Sequence, residues 1–557
     1  MEEALRITAG EPSIQERNSY FHGLPSRPKL VARSNIEVKF KPGNGGIWWP
    51  ITKSLSPASP NHKIASLWVW DSPLQRDIFN ALSGIDWKAI DVLRIGLDPN
   101  PECPEVPVPG RPHVLLVSVK PDSTTWQQAY PAVMSCRRIL QQHGIDDIHC
   151  EMKESPVSRA YDPSVLEEEE PDPAAESSLP VPNAAPPTAP KLISQSQGVR
   201  DGDLNMNHRT MASECLGGTI ASYLHPRRQG GKGLYLRRMD TGAILMLTCR
   251  HVVFKEEEPK TYQHSLELQS PRPVIQPGSG THRKMLDFIN SNIKTLDGRT
   301  GRLQNNFDLP EERQKALITT CNEEQVSSNM WKDYLISIKD VETRIIGHVL
   351  FSPEYGCGIC PSGSVRLRNW ALVELHPDKH QTDIRDLKNV VALSLTDLRA
   401  ITVAAATEIH KYDYSLFDLE GLLQLEGIVH EDEIRRPRTM SKNKEPVMVV
   451  AMFGPSSERS IGLSNSIMSV TRSVVNGRVE KSEEWCILCR KEVYGRDKGY
   501  FSEPDDLASC VWDTSGRVAG ILSAGNGAGI HDVTYATPIE WLLHDIRTQS
   551  GIDVELA

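Results

Sequence analysis

The sequence predicts a multidomain chain of the α+β class, with an α/β module in its first third and a strand-rich region in its C-terminal half. Three observations point there. Residues 113 to 153 read as strand, helix, strand with short links. Residues from about 156 to 210 turn acidic and then Pro-, Ala- and Ser-rich. From Cys215 to the end, short apolar segments recur between turn residues, with one long polar, helix-forming interruption. The expected organisation is an irregular lead-in (1–35), an α/β module (36–155), a Pro-rich acidic linker (156–212) and a C-terminal domain (213–550) with an insertion at about 255–340.

At 557 residues the chain can bury more than one core, and 39% hydrophobic with 24% charged residues suits a globular protein. A net charge of −10 over this length gives no general reason to expect nucleic-acid binding. The charged start Met1-Glu-Glu-Ala-Leu-Arg lacks the apolar core of a signal peptide, and no apolar run is long enough to span a bilayer. Eleven cysteines, an odd number thinly spread, fit reduced thiols. The expectation is a cytoplasmic or nuclear protein with no membrane partner.

In chain order, Ile36–Phe40 alternates as a strand does and runs into the turn-rich Pro42–Gly46, after which Trp48 and Trp49 read as local core. Val114–Val119 is a nearly continuous apolar run, suited to a strand buried on both faces. Pro131 is placed to open a helix whose apolar or small face includes positions 132, 133, 136, 139 and 140, and Gly144 to close it. Ile145–Cys150 resumes a strand. No Gly-rich phosphate loop links that first strand to its helix, so the module reads as a docking unit without a nucleotide site. The Glu167–Glu170 run and the prolines from Pro180 to Pro190 cannot bury enough apolar surface to offset chain entropy.

In the C-terminal region Gly217–Leu224 and Gly233–Leu236 read as paired strands around the turn at Arg227–Gly231; Gly230-Gly231-Lys232 lacks the spacing of a phosphate-binding loop. Ala243–Val253 is an apolar strand ending in Thr-Cys-Arg-His, so that His251 follows the strand directly. Residues 255–340 are polar, with helical stretches such as Pro310–Ile318. Strand character returns at Arg344–Phe351 and Leu367–Leu375, the latter reading Leu-Arg-Asn-Trp-Ala-Leu-Val-Glu-Leu. Val447–Ser469 holds two strand-like runs around Phe453–Gly462. Val511 and Trp512 lead into the turn Asp513–Gly516, and Val518, Gly520 and Leu522 lead out of it, a hairpin. Thr537-Pro-Ile-Glu540 has the form of a capping box, with Ile539, Leu542, Leu543 and Ile546 as the apolar face of a terminal helix.

Three of these segments resemble the motifs of chymotrypsin- and trypsin-like serine proteases, in that family's order. Ala243–Val253 is similar to the strand that presents the catalytic histidine, giving that role to His251. Leu367–Leu375 resembles the segment carrying the aspartate, where this chain has Asn369. Glu503–Leu522 resembles the nucleophile segment Gly-Asp-Ser-Gly, with Asp505 at the first glycine, Asp506 at the aspartate, Leu507 at the serine and Ala508 at the second glycine. Gly454, Arg459 and Gly462 carry a looser likeness to a turn of fungal multidomain members. The resemblance implies two six-stranded β-barrels, a closing helix, and a peptide-binding strand edge at Ser523, Ala524 and Gly525.

It also implies damage at each chemical requirement. Leu507 has no lone pair to attack a carbonyl. Asn369 cannot supply the charge that stabilises an imidazolium, a change that costs on the order of ten-thousand-fold in turnover in the serine-protease template. Asp505 stands where a glycine helps aim an oxyanion donor. The expectation is therefore a trypsin-like pseudoprotease, more a protein- or peptide-binding module than an enzyme, with no cofactor and no metal. Two rivals remain open. One is an active peptidase using another nucleophile, Ser509, two residues past Leu507 and on the same side of a strand; Cys510 faces the other way. The other is a structural adaptor organised by zinc through Cys357/Cys360 and Cys486/Cys489.

Overall fold

The computed structural model describes residues 11–38, 40, 52–97, 110–158, 190–195, 206–255, 258, 260–265, 271–305, 309–361, 363–412, 421–475, 477–490, 499–527 and 529–557. The turn at 42–46, Trp48 and Trp49, and most of the acidic and Pro-rich linker lie outside them.

The N-terminal strands are β1 (Leu30–Arg33), β2 (Lys53–Pro57), β3 (Trp87–Leu97), β4 (His113–Val119), β5 (His149–Glu154) and the two-residue β6 (Val157–Ser158). β4 and β5 pair in parallel with the helix Trp126–Gln142 between them, the expected strand–helix–strand unit. The helix starts five residues before Pro131, because Thr125 and Gln128 form a capping box ahead of it; Pro131 sits inside the helix. Gly144 ends it at φ +71°, where its own N–H and that of Ile145 bond back to Gln141 and Leu140. Two expectations for the start of the chain are corrected. The helix Ile14–Ser19, capped by the Ser13 hydroxyl, and β1 both fall within residues 1–35. Residues 36–38 form no strand.

β7 (Thr219–Ser222), β8 (Gln229–Gly231), β9 (Leu234–Arg238), β10 (Ile244–Thr248), β11 (Tyr262–Gln263), β12 (Pro273–Ile275), β13 (Ile345–Ser352), β14 (Gly356–Ile359), β15 (Val365–Arg368) and β16 (Ala371–Leu375) follow. β9, β10, β16, β13, β12, β7 and β8 lie side by side in one sheet, and β11 pairs with β13. β7 pairs with β8, and β9 with β10, so the two runs around Arg227–Gly231 are not partners of each other. Between β12 and β13 stands a hairpin of two long helices, Ser279–Gln304 and Glu311–Ser337. It is narrower than the insertion read from the sequence, since β11 and β12 belong to the sheet. It also packs on that sheet, with Met285, Ile289, Trp331 and Leu335 joining the main core.

After β17 (Val390–Ala392) and β18 (Leu422–Gln424) come β19 (Val449–Gly454), β20 (Glu458–Ser464), β21 (Ser469–Val475), β22 (Arg478–Cys489), β23 (Cys510–Asp513), β24 (Val518–Asn526), β25 (Val533–Pro538) and β26 (Val554–Leu556). Pairing runs β19–β20–β22–β25–β24–β23 and returns from β23 to β19, so this sheet curls until six strands close a ring. The terminal helix Ile539–Ser550 lacks the expected capping box. Thr537 belongs to β25, Pro538 takes the cap position, and the Glu540 carboxylate is held by His430 and the N–H of Glu431. The fold as a whole is α+β with large sheets.

The N-terminal module is fused to the ring by a shared sheet. β3 pairs antiparallel with β21 through Ile90 and Ala89 against Val470 and Thr471. Buried polar side chains cross this junction. Asp91 accepts from Ser469 (2.5 Å) and Tyr535 (3.0 Å), and burial raises its carboxyl above the usual carboxylate range. Lys153 and Asp532, both fully buried, pair at 3.0 Å. The Asn465 amide accepts from the N–H of Ala58 (2.9 Å) and donates to the carbonyl of Val92 (2.9 Å) and Ile467 (2.8 Å). Asn465→Ala leaves three buried main-chain groups unpaired, and urea unfolding should show a loss of about 2–4 kcal/mol.

Candidate functional site

Pairing of β10 with β16 sets Leu247 against Leu372 and Thr248 against Ala371. The residues just past the end of β10 therefore face those just before β16. That brings His251, in the short helix Arg250–Val253, to Asn369. The segment around Asn369 is rigidly held, because Arg368 and Trp370 on either side both donate to Asp545 of the terminal helix, at 3.1 and 2.8 Å. Asn369 Oδ1 accepts the main-chain N–H of His251 at 3.2 Å. Asn369 Nδ2 lies 2.7 Å from His251 Nδ1, closer than Oδ1 at 3.0 Å. An amide beside Nδ1 can donate to the ring or accept from it, so it does not fix the ring proton on Nδ1. A carboxylate, which only accepts, would hold it there and leave the Nε2 lone pair free.

Leu507 ends the 3₁₀ turn Pro504–Asp506 and is 1% exposed, packed in the main core. It meets the histidine segment around Gly230, where an added Cβ would lie 2.5 Å from Val252 Cγ2 and 3.1 Å from the Leu507 carbonyl oxygen. Leu507 O accepts from Gly231 N at 2.6 Å. Four main-chain donors here are engaged. Leu507 N–H bonds to Pro504 O (3.3 Å), Ala508 N–H to Leu522 O (2.9 Å), Ser509 N–H to Asp506 O (2.9 Å) and Asp506 N–H to Glu503 O (3.1 Å). Stabilising a developing oxyanion takes two aligned free donors, and the Leu507 N–H, at the position of one of them, is held inside the turn.

The Asp505 carboxylate accepts from Gln229 Nε2 at 3.1 Å, with Lys284 3.8 Å away. Asp506 is fully buried and accepts from the N–H groups of Ser456, Ser457 and Glu503 at 2.9, 3.1 and 2.7 Å. Its Oδ1 sits so close to Gly454 that a Cβ there would collide with it, which accounts for that glycine. Burial outweighs those bonds and raises the Asp506 carboxyl from 3.8 to about 6. The folded state therefore binds this proton more tightly than the unfolded chain does. Its stabilising contribution is present below pH ~4 and is lost as pH rises through about 6. Relative to Asp506→Asn, the wild type should lose on the order of 3 kcal/mol between pH 4 and 7 in urea melts.

Ser509 is fully buried against Gly231, where a Cβ would meet its Oγ at 2.7 Å, and that Oγ has no hydrogen-bond partner. No imidazole is within hydrogen-bonding reach of it. Cys510 is buried in the core, and burial pushes its thiol up. Cys486 and Cys489 project from opposite faces of β22, one into the junction with the module and the other against the main core, so they cannot clasp one ion together. Cys357 points at the carbonyl of Lys481, further back along β22.

Ser523, Ala524 and Gly525 lie on β24 and are buried. Along Gly525–Asn526 the edge of β24 already carries a strand. β6 pairs antiparallel with it, Ser158 opposite Gly525 and Val157 opposite Asn526, and Gly527 N–H bonds to Pro156 O at 3.0 Å. Ser158 Oγ lies 3.0 Å from Nε2 of the buried His531, whose Nδ1 lies 2.8 Å from Ser502 Oγ. The sequence offered no sign of this contact, since a two-residue strand has no measurable period and Pro156 reads as the start of the linker. No protein-family model matches the chain, and no curated protein matches it.

Proposed function

We propose that the chain is a trypsin-like pseudoprotease that binds an extended segment of protein or peptide without cutting it. The observation that carries this reading is β6, a stretch of the chain's own sequence lying as an added strand on β24. The six-stranded ring, the Ala371–Leu375 sheet beside it and the order His251, Asn369, Leu507 agree with the proposed scaffold. The amide beside His251, the aliphatic Leu507 and the engaged N–H of Leu507 argue against hydrolysis. Main-chain pairing supplies affinity in such additions, and side chains alternating along the strand supply selectivity. Among the described residues no helix is long and apolar enough to cross a membrane.

The test is binding of a fluorescein-labelled peptide spanning residues 154–160 to the full chain and to the variant Val157→Pro/Ser158→Pro, which weakens the internal strand. Fluorescence anisotropy should show tighter binding to the variant, at least about tenfold, as expected when a competing segment worth ~1.4 kcal/mol is removed. Mass spectrometry should recover the peptide intact. Cleavage would favour an active peptidase, and equal or absent binding would remove the strand-addition reading.

A further inference from the structure

Away from these residues, three histidines meet on the outward side of the sheet formed by β11, β13 and β16. His348 of β13 stands directly opposite Glu374 of β16. His376, two residues beyond Glu374, points to the same side, and its N–H bonds to Ile346. His264 follows β11 with its N–H bonded to Leu350. His348 Nδ1 lies 3.2 Å from His376 Nε2, and His348 Nε2 lies 3.5 Å from the Glu374 carboxylate. The His264 ring stands edge-on to His348, with centroids 4.7 Å apart.

His348 Nδ1 and His376 Nε2 are within hydrogen-bonding distance and share a single proton between them. The remaining nitrogen of His376, Nδ1, and Nδ1 of His264 are buried with no hydrogen-bond partner among the described residues. Three imidazoles are thus gathered with fewer protons and donors than their lone pairs can use.

We propose that His348 Nδ1 and His376 Nε2, with His264 as a third ligand, form a zinc site in which Glu374 orients His348. Two imidazole nitrogens on a tetrahedral zinc ion are about 3.3 Å apart, close to the separation found here. Zinc takes the place of the shared proton, and rotation of the His264 side chain brings in its nitrogen. The His348 Nε2–H then donates to Glu374, the carboxylate–histidine pairing common behind metal ligands. Imidazole donors favour zinc over magnesium or calcium. Among the described residues, His62, His113 and Asp147 are the group whose three candidate ligand atoms already lie within 4.8 Å of one another, a range that His264 reaches with His348 and His376 only on turning. There, however, the lone pair of each ring is already engaged by a main-chain N–H, from Ile64 on His62 Nδ1 and from Ser59 on His113 Nε2, both at 3.1 Å.

Chelator-treated full-length chain, titrated with zinc chloride by calorimetry, should take up about one equivalent. Cobalt(II) should give the intense visible absorption of a tetrahedral site. His348→Ala/His376→Ala should abolish both signals with an unchanged far-ultraviolet circular dichroism spectrum, and the size-conserving His348→Gln/His376→Asn should do the same. Glu374→Gln should weaken zinc about 10–100-fold, and His62→Ala/His113→Ala should leave uptake unaltered. Absence of uptake overturns the proposal. So does uptake that survives loss of His348 and His376, or that disappears with His62 and His113.

Discussion

Asp532→Ala should destabilise the chain by about 3–5 kcal/mol, the loss typical when one partner of a buried ion pair is removed. Lys153 and Asp532 are fully shielded from solvent, and the carboxylate also accepts from the N–H and hydroxyl of Ser26, at 2.9 and 2.5 Å. Without it the Lys153 ammonium keeps, among the described residues, the Ser155 hydroxyl at 3.3 Å and a longer-range attraction to the Asp91 carboxyl. A buried charge that has lost its close partner costs more than the attraction itself. The three residues joined at Asp532 come from the module and from the strand ring, so the damage should appear as separation of the two. Urea unfolding followed by tryptophan fluorescence measures it. The double variant Lys153→Met/Asp532→Leu removes both charges and should recover most of the stability, because apolar packing often equals a buried ion pair. A single-variant loss below about 1 kcal/mol would mean that water reaches Lys153 in solution.

The second large effect concerns hydrolysis. Wild-type protein incubated with a fluorophosphonate probe should carry no label, and neither Leu507→Ser nor Leu507→Ser/Asn369→Asp should gain one. Restoring the hydroxyl leaves His251 beside an amide in place of a carboxylate, a change of about ten-thousand-fold in the serine-protease template. Restoring the carboxylate as well leaves the N–H groups of Asp506 and Leu507 bonded inside the turn. Each missing oxyanion donor lowers turnover by about 10²–10³. For Leu507→Ser alone the combined deficit is at least about a million-fold. Labelling of the wild type at Ser509, found by peptide mapping, would reverse the functional conclusion.

The elements legible in the sequence were those whose signal is local. The strand–helix–strand unit shows because its periodicity changes from two to 3.6 and back within 41 residues, His113 to Lys153. The hairpin after Val511 shows because Gly516, at φ +76°, must close its turn. Misplaced features had a local signal that a tertiary partner overrode. Thr537 and Glu540 have capping-box spacing, but one is bound into β25 and the other to His430 and Glu431. Pro131 has the right residue type for a helix start, but Thr125 and Gln128 cap the helix earlier. For the candidate site, the approach of His251 to Asn369 followed from motif order. The covering of β24 by Val157 and Ser158 could not, because nothing about either residue names a partner 367 or more positions away. The pairing of β3 with β21 and the His264–His348–His376 cluster were unreadable for the same reason.

The junction of β3 with β21 also sets a timetable for biosynthesis. Asp91 and Ser469, bonded across it, are 378 residues apart. At roughly 5–20 residues per second a ribosome needs about 20–80 s to cover that interval. Throughout it the nascent module presents an incomplete β-edge at Ala89 and Ile90, a ready template for the wrong neighbour. Yield in a host with depleted ribosome-associated chaperones should therefore fall more steeply for this chain than for one whose N-terminal unit closes on itself.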